Sequence, residues 1–105
     1  MAEKKRPTYS LESFKEAFSR KEDLQVTTTA LKTAASIGFG RSEIVATVQT
    51  MEYGHFYKSM TAHGNSRLWQ DVYYVPSSQG TLYVKFTAGV ISEFLLLSFK
   101  EKDNG

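Results

Sequence analysis

Cysteine is absent from this chain of 105 residues, which removes disulfides, thiolate metal sites and cysteine nucleophiles from consideration. Proline occurs only at Pro7 and Pro76, so nearly the whole chain is free to enter helices and strands. No apolar run approaches the ~18 residues of a membrane span, and Met1-Ala2-Glu3-Lys4-Lys5-Arg6-Pro7 lacks the apolar segment of a secretory signal. A strong charge of one sign is missing too. With 13 Lys+Arg against 11 Asp+Glu the formal charge is +2, too mild to announce nucleic-acid binding by itself, so any basic surface must come from local arrangement. What is present is ordinary globular composition, 41% hydrophobic and 23% charged, which predicts a single cytoplasmic domain over residues 1–105 with loose ends at 1–7 and 103–105.

The chain changes character near residue 52, from helix-period patterns to aromatic and β-branched runs with turn signals, and this predicts an α+β fold with the sheet in the C-terminal half. Ser10 is an N-cap, Tyr9 and Phe14 are the ends of a hydrophobic staple, and Leu11, Phe14 and Phe18 form one stripe, giving a first helix over 11–20. Thr27 caps a second over 28–37, with Leu31, Ala34 and Ala35 inward and Gly38 as its left-handed stop. Ser42 precedes Ile44, Val45, Val48 and Met51, which predicts a third over 43–50. The segment 52–61 reads as a helical turn, although it also alternates like a strand. Strands are expected at Leu68–Val75, Thr81–Thr87 and Phe94–Lys100, joined as a meander through a turn at Pro76–Gly80 and a longer loop over 88–93.

Strand parity gathers a set of polar residues. In Thr81–Thr87 the even positions Leu82, Val84 and Phe86 are apolar, and the odd positions Thr81, Tyr83, Lys85 and Thr87 are polar. In the last strand Leu95, Leu97 and Phe99 read as the core side, which leaves Ser98 and Lys100 beside Tyr83 and Lys85 on the opposite face. A first hairpin centred on Ser77-Ser78 places Gln70 near Lys85 and Val72 near Tyr83, adding Gln70 to that face. An antiparallel sheet commonly has one wet face, on which Tyr, Lys, Thr and Gln are normal occupants. The same groups also suit a groove for a phosphodiester backbone.

Cleaving RNA without a metal requires a base for the 2′-hydroxyl, positive charge at the phosphorane and an acid for the leaving 5′-oxygen, and lysines with a tyrosine can fill these roles. Free Lys and Tyr titrate near 10, so neighbouring cations or burial must shift them. Gln70 suits holding a phosphate or base edge rather than moving a proton. His55 and His63 match no metal-pair spacing, and Lys4-Lys5-Arg6 reads as a solvated stub. Trp69, Tyr73 and Tyr74 could stack bases, with Trp69 the more natural core residue. No glycine-rich phosphate loop precedes a helix and no carboxylate pair is spaced for acid–base work; Asp71 stands alone.

Phe56-Tyr57-Lys58-Ser59-Met60-Thr61, Trp69-Gln70-Asp71-Val72-Tyr73 and Ser98-Phe99-Lys100-Glu101-Lys102, with Thr27-Thr28, Ala30-Leu31 and Gly38 before them, resemble the MqsR (motility quorum-sensing regulator) toxin family in block order. The resemblance runs from about Thr8 to Lys102. It implies a RelE-like fold and an mRNA endoribonuclease with no cofactor, which prefers GC-containing triplets and is neutralised by a cognate DNA-binding antitoxin of the MqsA kind. The ribosome is a further partner to consider. The family's catalytic positions fall on Lys58, Gln70, Tyr83 and Lys100, with Tyr57, Lys85, Tyr73 and Ser98 as RNA-binding neighbours. The chain departs from the family pattern at Val75-Pro76-Ser77-Ser78, where a basic residue is expected. A non-catalytic RNA- or protein-binding module using the same face is the alternative.

Overall fold

The computed structural model describes residues 2–90 and 92–102. The chain builds β1 (Glu3–Lys4), α1 (Leu11–Ala17), α2 (Thr28–Ser36), α3 (Arg41–Thr50), β2 (Phe56–Ala62), β3 (Asn65–Ser77), β4 (Gly80–Ala88) and β5 (Phe94–Glu101). The strands form one antiparallel sheet in the order β1-β2-β3-β4-β5, and the helices cover one of its faces. The fold is α+β, as the switch in residue pattern implies. Among the described residues no helix is long and apolar enough to cross a membrane.

The helix starts follow from their caps. Ser10 Oγ accepts from the Ser13 N–H at 3.1 Å, and Thr27 Oγ1 accepts from the Ala30 N–H at 3.1 Å, so each satisfies a donor the helix cannot. The third helix begins two residues before the expected start. Glu43 Oε1 accepts from the Gly40 N–H at 2.8 Å, which makes Gly40 rather than Ser42 the N-cap. The first helix ends at Ala17 rather than residue 20, and α2 closes through Gly38 at φ +86°.

Between helices and sheet lies a core built on aromatic rings. Phe14 stacks on Phe86 with centroids 3.7 Å apart and planes 5° from parallel, and Tyr9 packs on Phe86 and Phe94 of the same cluster. Ile44, Val48 and Met51 of the α3 region, Ala30 and Ala34 of α2, and Val75, Leu82, Val84 and Phe99 of the sheet fill the rest. The inward face of α2 is thus set by Ala30 and Ala34, with Leu31 packing at its edge and Ala35 exposed. Burying a side chain of Phe size contributes about 2–3 kcal/mol.

Four expectations are corrected by the sheet. Residues 53–55 form a 3-10 turn, but Phe56–Ala62 is a strand, because its pairing with β3 supplies backbone partners that an isolated helical turn would lack. The N-terminal stub is not loose over its first residues: Glu3 pairs with Met60 and Lys4 with Ser59, and Thr61 exchanges two 2.9 Å hydrogen bonds with Ala2. The β3–β4 turn centres on Ser78-Gln79, with Ser77 opposite Gly80 (φ +90°), so Gln70 faces Thr87, Val72 faces Lys85 and Tyr74 faces Tyr83. That is a shift of two residues, which leaves every side chain on the expected face. In β5 a bulge at Leu97 inverts the parity of its first half. Phe94 and Leu96 are therefore the buried residues there, whereas Leu95 and Leu97 are half-buried. The expected loose tail at Asp103–Gly105 lies outside the described residues.

Candidate active site

The face of the sheet away from the helices carries three cross-strand rows. Tyr74, Tyr83 and Lys100 make the first, Lys58, Val72, Lys85 and Ser98 the second, and Met60, Gln70, Thr87 and Leu95 the third. Lys58 lies on this face by ordinary alternation with Met60, and Tyr57 joins it through an irregularity in β2. Phe56 opposes Tyr73 and Lys58 opposes Val72, so Tyr57 is an extra residue, and both Tyr57 and Lys58 turn outward while Phe56 and Ser59 face the helices. Strict alternation back from Ser59 would have driven the Tyr57 ring inward. The bulge therefore puts an aromatic ring and a cation side by side.

Tyrosines form a ladder across the three strands. Tyr57 stacks on Tyr74 at 4.3 Å with 16° between planes, and Tyr74 lies 6.1 Å from Tyr83. Lysine ammoniums sit against the rings: Lys5 at 5.1 Å and Lys58 at 5.4 Å from Tyr57, Lys100 at 5.3 Å from Tyr83, and Lys102 at 5.1 Å from Tyr74. The floor is Val72, fully buried between the Lys58 and Lys85 positions although it lies outside the main core cluster. Such a surface offers π-faces to bases and ammonium groups to phosphates.

The protonation balance is uneven. Burial pushes the Tyr83 phenol above its ordinary value, with Lys58 partly opposing the shift, so Tyr83 is a neutral donor near pH 7. Burial also raises Tyr74, reinforced by the neighbouring Tyr57 phenol. Lys85 is half-buried and moves the other way, lowered first by burial and then by the charge of Lys100. Lys58 is raised, chiefly because it donates to the Glu3 carboxylate at 2.8 Å, and Glu3 is lowered by the same bond.

Of the residues singled out in the sequence, Lys58, Gln70, Tyr83, Lys100, Tyr57, Lys85 and Ser98 lie on this face, with Gln70 one row from Lys58 and Lys85. Tyr73 does not. It pairs with Val84 on the core side, has no exposed surface and packs against Phe56 and Phe86, which removes it from any RNA-binding set. Trp69, read as core, is only half-buried, with the Lys4 ammonium 4.2 Å from its ring. His55 accepts from the Glu52 N–H through Nδ1, and His63 lies in the exposed β2–β3 turn. Tyr74, named as a base-stacking candidate, does lie on this face, whereas sequence reading missed Glu3 and Lys5 as members of it.

The profile for the motility quorum-sensing regulator, described as the toxin of MqsA, matches residues 6–101. The chain belongs to that toxin family. It is also similar to the mRNA interferase toxin MqsR of Escherichia coli (strain K12), with 35% identity over 79 residues, 75% of this chain and 79% of that protein. The family match contains α1 to β5 and leaves out β1, so the rows of tyrosine and lysine fall within it while Glu3, Lys4 and Lys5 precede it.

Proposed function

We propose that this chain is the toxin of a toxin–antitoxin pair and an endoribonuclease that cuts mRNA on the open face of the sheet. The observation that carries the reading is the gathering of Lys58, Gln70, Tyr83 and Lys100 on one lysine-rich face, in a member of a family of mRNA interferase toxins. In the reaction the RNA 2′-oxygen attacks the adjacent phosphorus, a phosphorane forms, and the bond to the 5′-oxygen breaks. Lys58 and Lys100 neutralise the phosphorane oxygens. Tyr83, held neutral by its surroundings, protonates the departing 5′-oxygen. Lys85 has the face's lysine shift toward the neutral amine, which suits it to receive the 2′-hydroxyl proton, and Gln70 holds a phosphate or base edge.

No metal enters this scheme. Ammonium groups supply the positive charge a divalent ion would otherwise provide, and neutral phenols supply the proton a metal-bound water would, while neither group favours ligating a metal. Tyr57 and Ser98 contact the RNA on either side of the cut. The preference for GC-containing triplets and neutralisation by an antitoxin of the MqsA kind that also binds DNA rest on family membership, as does action in the cytoplasm, at or away from the ribosome.

The test is cleavage of a long defined mRNA by purified protein in EDTA, wild type beside Lys100→Ala, with ends mapped by primer extension. Discrete cuts by wild type alone are expected, and their sequences report the triplet. Intact RNA that is nevertheless retained on the protein would replace the enzyme with a binding module; cleavage restored only on translating ribosomes would make the ribosome a required partner.

A further inference from the structure

Three carboxylates lie in the described strands: Glu3, Asp71 and Glu101. Asp71 is fully buried on the helix side and Glu101 pairs with Leu82 in a core-side row, whereas Glu3 pairs with Met60 and shares the open face with the lysines. Its Oε2 lies 2.8 Å from Lys58 Nζ. The two partners are unequally enclosed, since the Lys58 side chain is 18% exposed and that of Glu3 49%. Lys58 is thus walled in, with Tyr57 and Val72 beside it, and its ammonium meets an anion at the solvent side.

We propose that Glu3 is a built-in competitor for RNA at Lys58, its carboxylate filling in the free protein the anion position that a phosphodiester oxygen takes in the complex. The inference rests on the RNA-cleaving reading given above. A carboxylate oxygen and a non-bridging phosphate oxygen are both anionic acceptors that an ammonium holds at the same distance, so one can replace the other. The position is set by backbone pairing and not by chance contact of a loose tail: β1 is registered on β2, Thr61 bonds to Ala2 on both sides, and Lys4 is laid on Trp69. Lys5 of the same segment brings a cation to Tyr57, so the segment both adds to the face and masks part of it. Substrate binding is then an exchange at Lys58 rather than an addition, which lowers affinity for polyanions at large and keeps the charge of Lys58 available once RNA has displaced the carboxylate.

The experiment is retention of a 2′-O-methyl oligoribonucleotide, which has no free 2′-hydroxyl to attack, by the full chain, Glu3→Gln, Lys58→Met and the double variant, with cleavage of unmodified RNA by the full chain run in parallel. Glu3→Gln is expected to bind roughly two- to fivefold tighter, the range of an exposed ion pair, with no gain in the Lys58→Met background. Equal or weaker binding by Glu3→Gln overturns the proposal, and so does the same gain in both backgrounds, which would mark a general charge effect. If the full chain cuts RNA while either of these results is found, the competitor is wrong and the ribonuclease stands. Failure of the full chain to bind the oligonucleotide overturns the competitor, whereas failure to cut RNA, free or on translating ribosomes, overturns the ribonuclease.

Discussion

Lys100 and Tyr83 are directly paired across β4 and β5, and the lysine ammonium lies 5.3 Å from the centroid of the tyrosine ring. The contact orients both polar groups toward the open face and couples a fixed cation to a phenol that burial keeps protonated. Neither group is needed to hold the core, where Val84 and Phe99 of the same strands do that work from the other side.

The pair gives the sharpest catalytic expectation. Tyr83→Phe keeps the ring, the strand and the contact with Lys100 but removes the hydroxyl, so cleavage should fall by roughly 10²-fold or more while thermal stability changes by less than about 1 kcal/mol. Lys100→Ala should lose a similar factor through phosphorane charge. Initial rates on a fixed RNA together with melting curves check both. Wild-type rates in Tyr83→Phe would remove Tyr83 from the chemistry.

Tyr57 gives the expectation for binding. Tyr57 is 38% exposed, stacks on Tyr74 and has the Lys5 and Lys58 ammoniums beside its ring, so a base stacked there extends the ladder with cations at hand for its phosphate. Tyr57→Ala should weaken retention of single-stranded RNA by about 1–3 kcal/mol, whereas Tyr57→Phe should bind like wild type. Filter binding at one fixed salt concentration decides this, since affinity moves steeply with salt. If the alanine variant binds as well as wild type, bases do not use the ladder.

The layout of this face was legible to the extent that period-2 alternation held. Tyr83, Lys85, Ser98 and Lys100 follow from parity in β4 and the second half of β5, and Gln70 survived a misplaced turn because a two-residue shift preserves the face. Bulges are where the reading failed or ran ahead of its means. The one at Leu97 inverted Phe94 to Leu96, and the one at Tyr57 turns that ring outward beside Lys58, where alternation with Ser59 and Thr61 would have put it inward. Tyr73 was misassigned by residue type: a tyrosine beside Tyr74 looks like a second stacking ring, yet adjacent strand residues point to opposite faces. The N-terminal segment was illegible for another reason, since two residues carry no periodicity and their strand exists only through pairing with β2.

Asp71 shows how a carboxylate on the helix side of the sheet can organise the fold. Fully buried on the helix side, it accepts the Thr8 N–H through both oxygens at 3.0 and 3.1 Å and the Tyr9 N–H at 2.9 Å, fixing the entry to α1 next to the Ser10 cap. Asp71→Ala strands those donors and should cost about 2–4 kcal/mol, read from urea or thermal unfolding. RNA affinity of the fraction that remains folded should be unchanged, because the side chain lies on the far side of the sheet from Lys58. A stability loss below about 0.5 kcal/mol would show that water replaces the carboxylate without cost.

Tyr73 supplies the opposite case, a polar group whose removal should help. Its hydroxyl is buried with no hydrogen-bond partner among the described residues, and burial, reinforced by Asp71, pushes its pKa well above the ordinary value. Near neutral pH the phenol is uncharged whether folded or not, so its cost there is the unmade hydrogen bond, and Tyr73→Phe should raise stability by about 1 kcal/mol, a Tm increase of roughly 4–8 °C for a domain of this size. The sign changes nothing below pH ~10 but matters above it: the unfolded chain ionises there while the folded phenol cannot, so stability falls as pH rises past the unfolded value. Tyr74 and Tyr83, also raised, add to that fall. Lys85, lowered, acts with the opposite sign, adding stability as pH climbs toward its unfolded value near 10.5 and nothing further beyond it. Melting curves from pH 7 to 11 should therefore show a higher plateau and a shallower alkaline decline in Tyr73→Phe. A lower Tm at neutral pH would mean that the hydroxyl has a partner, such as a buried water, whose bond the phenylalanine loses.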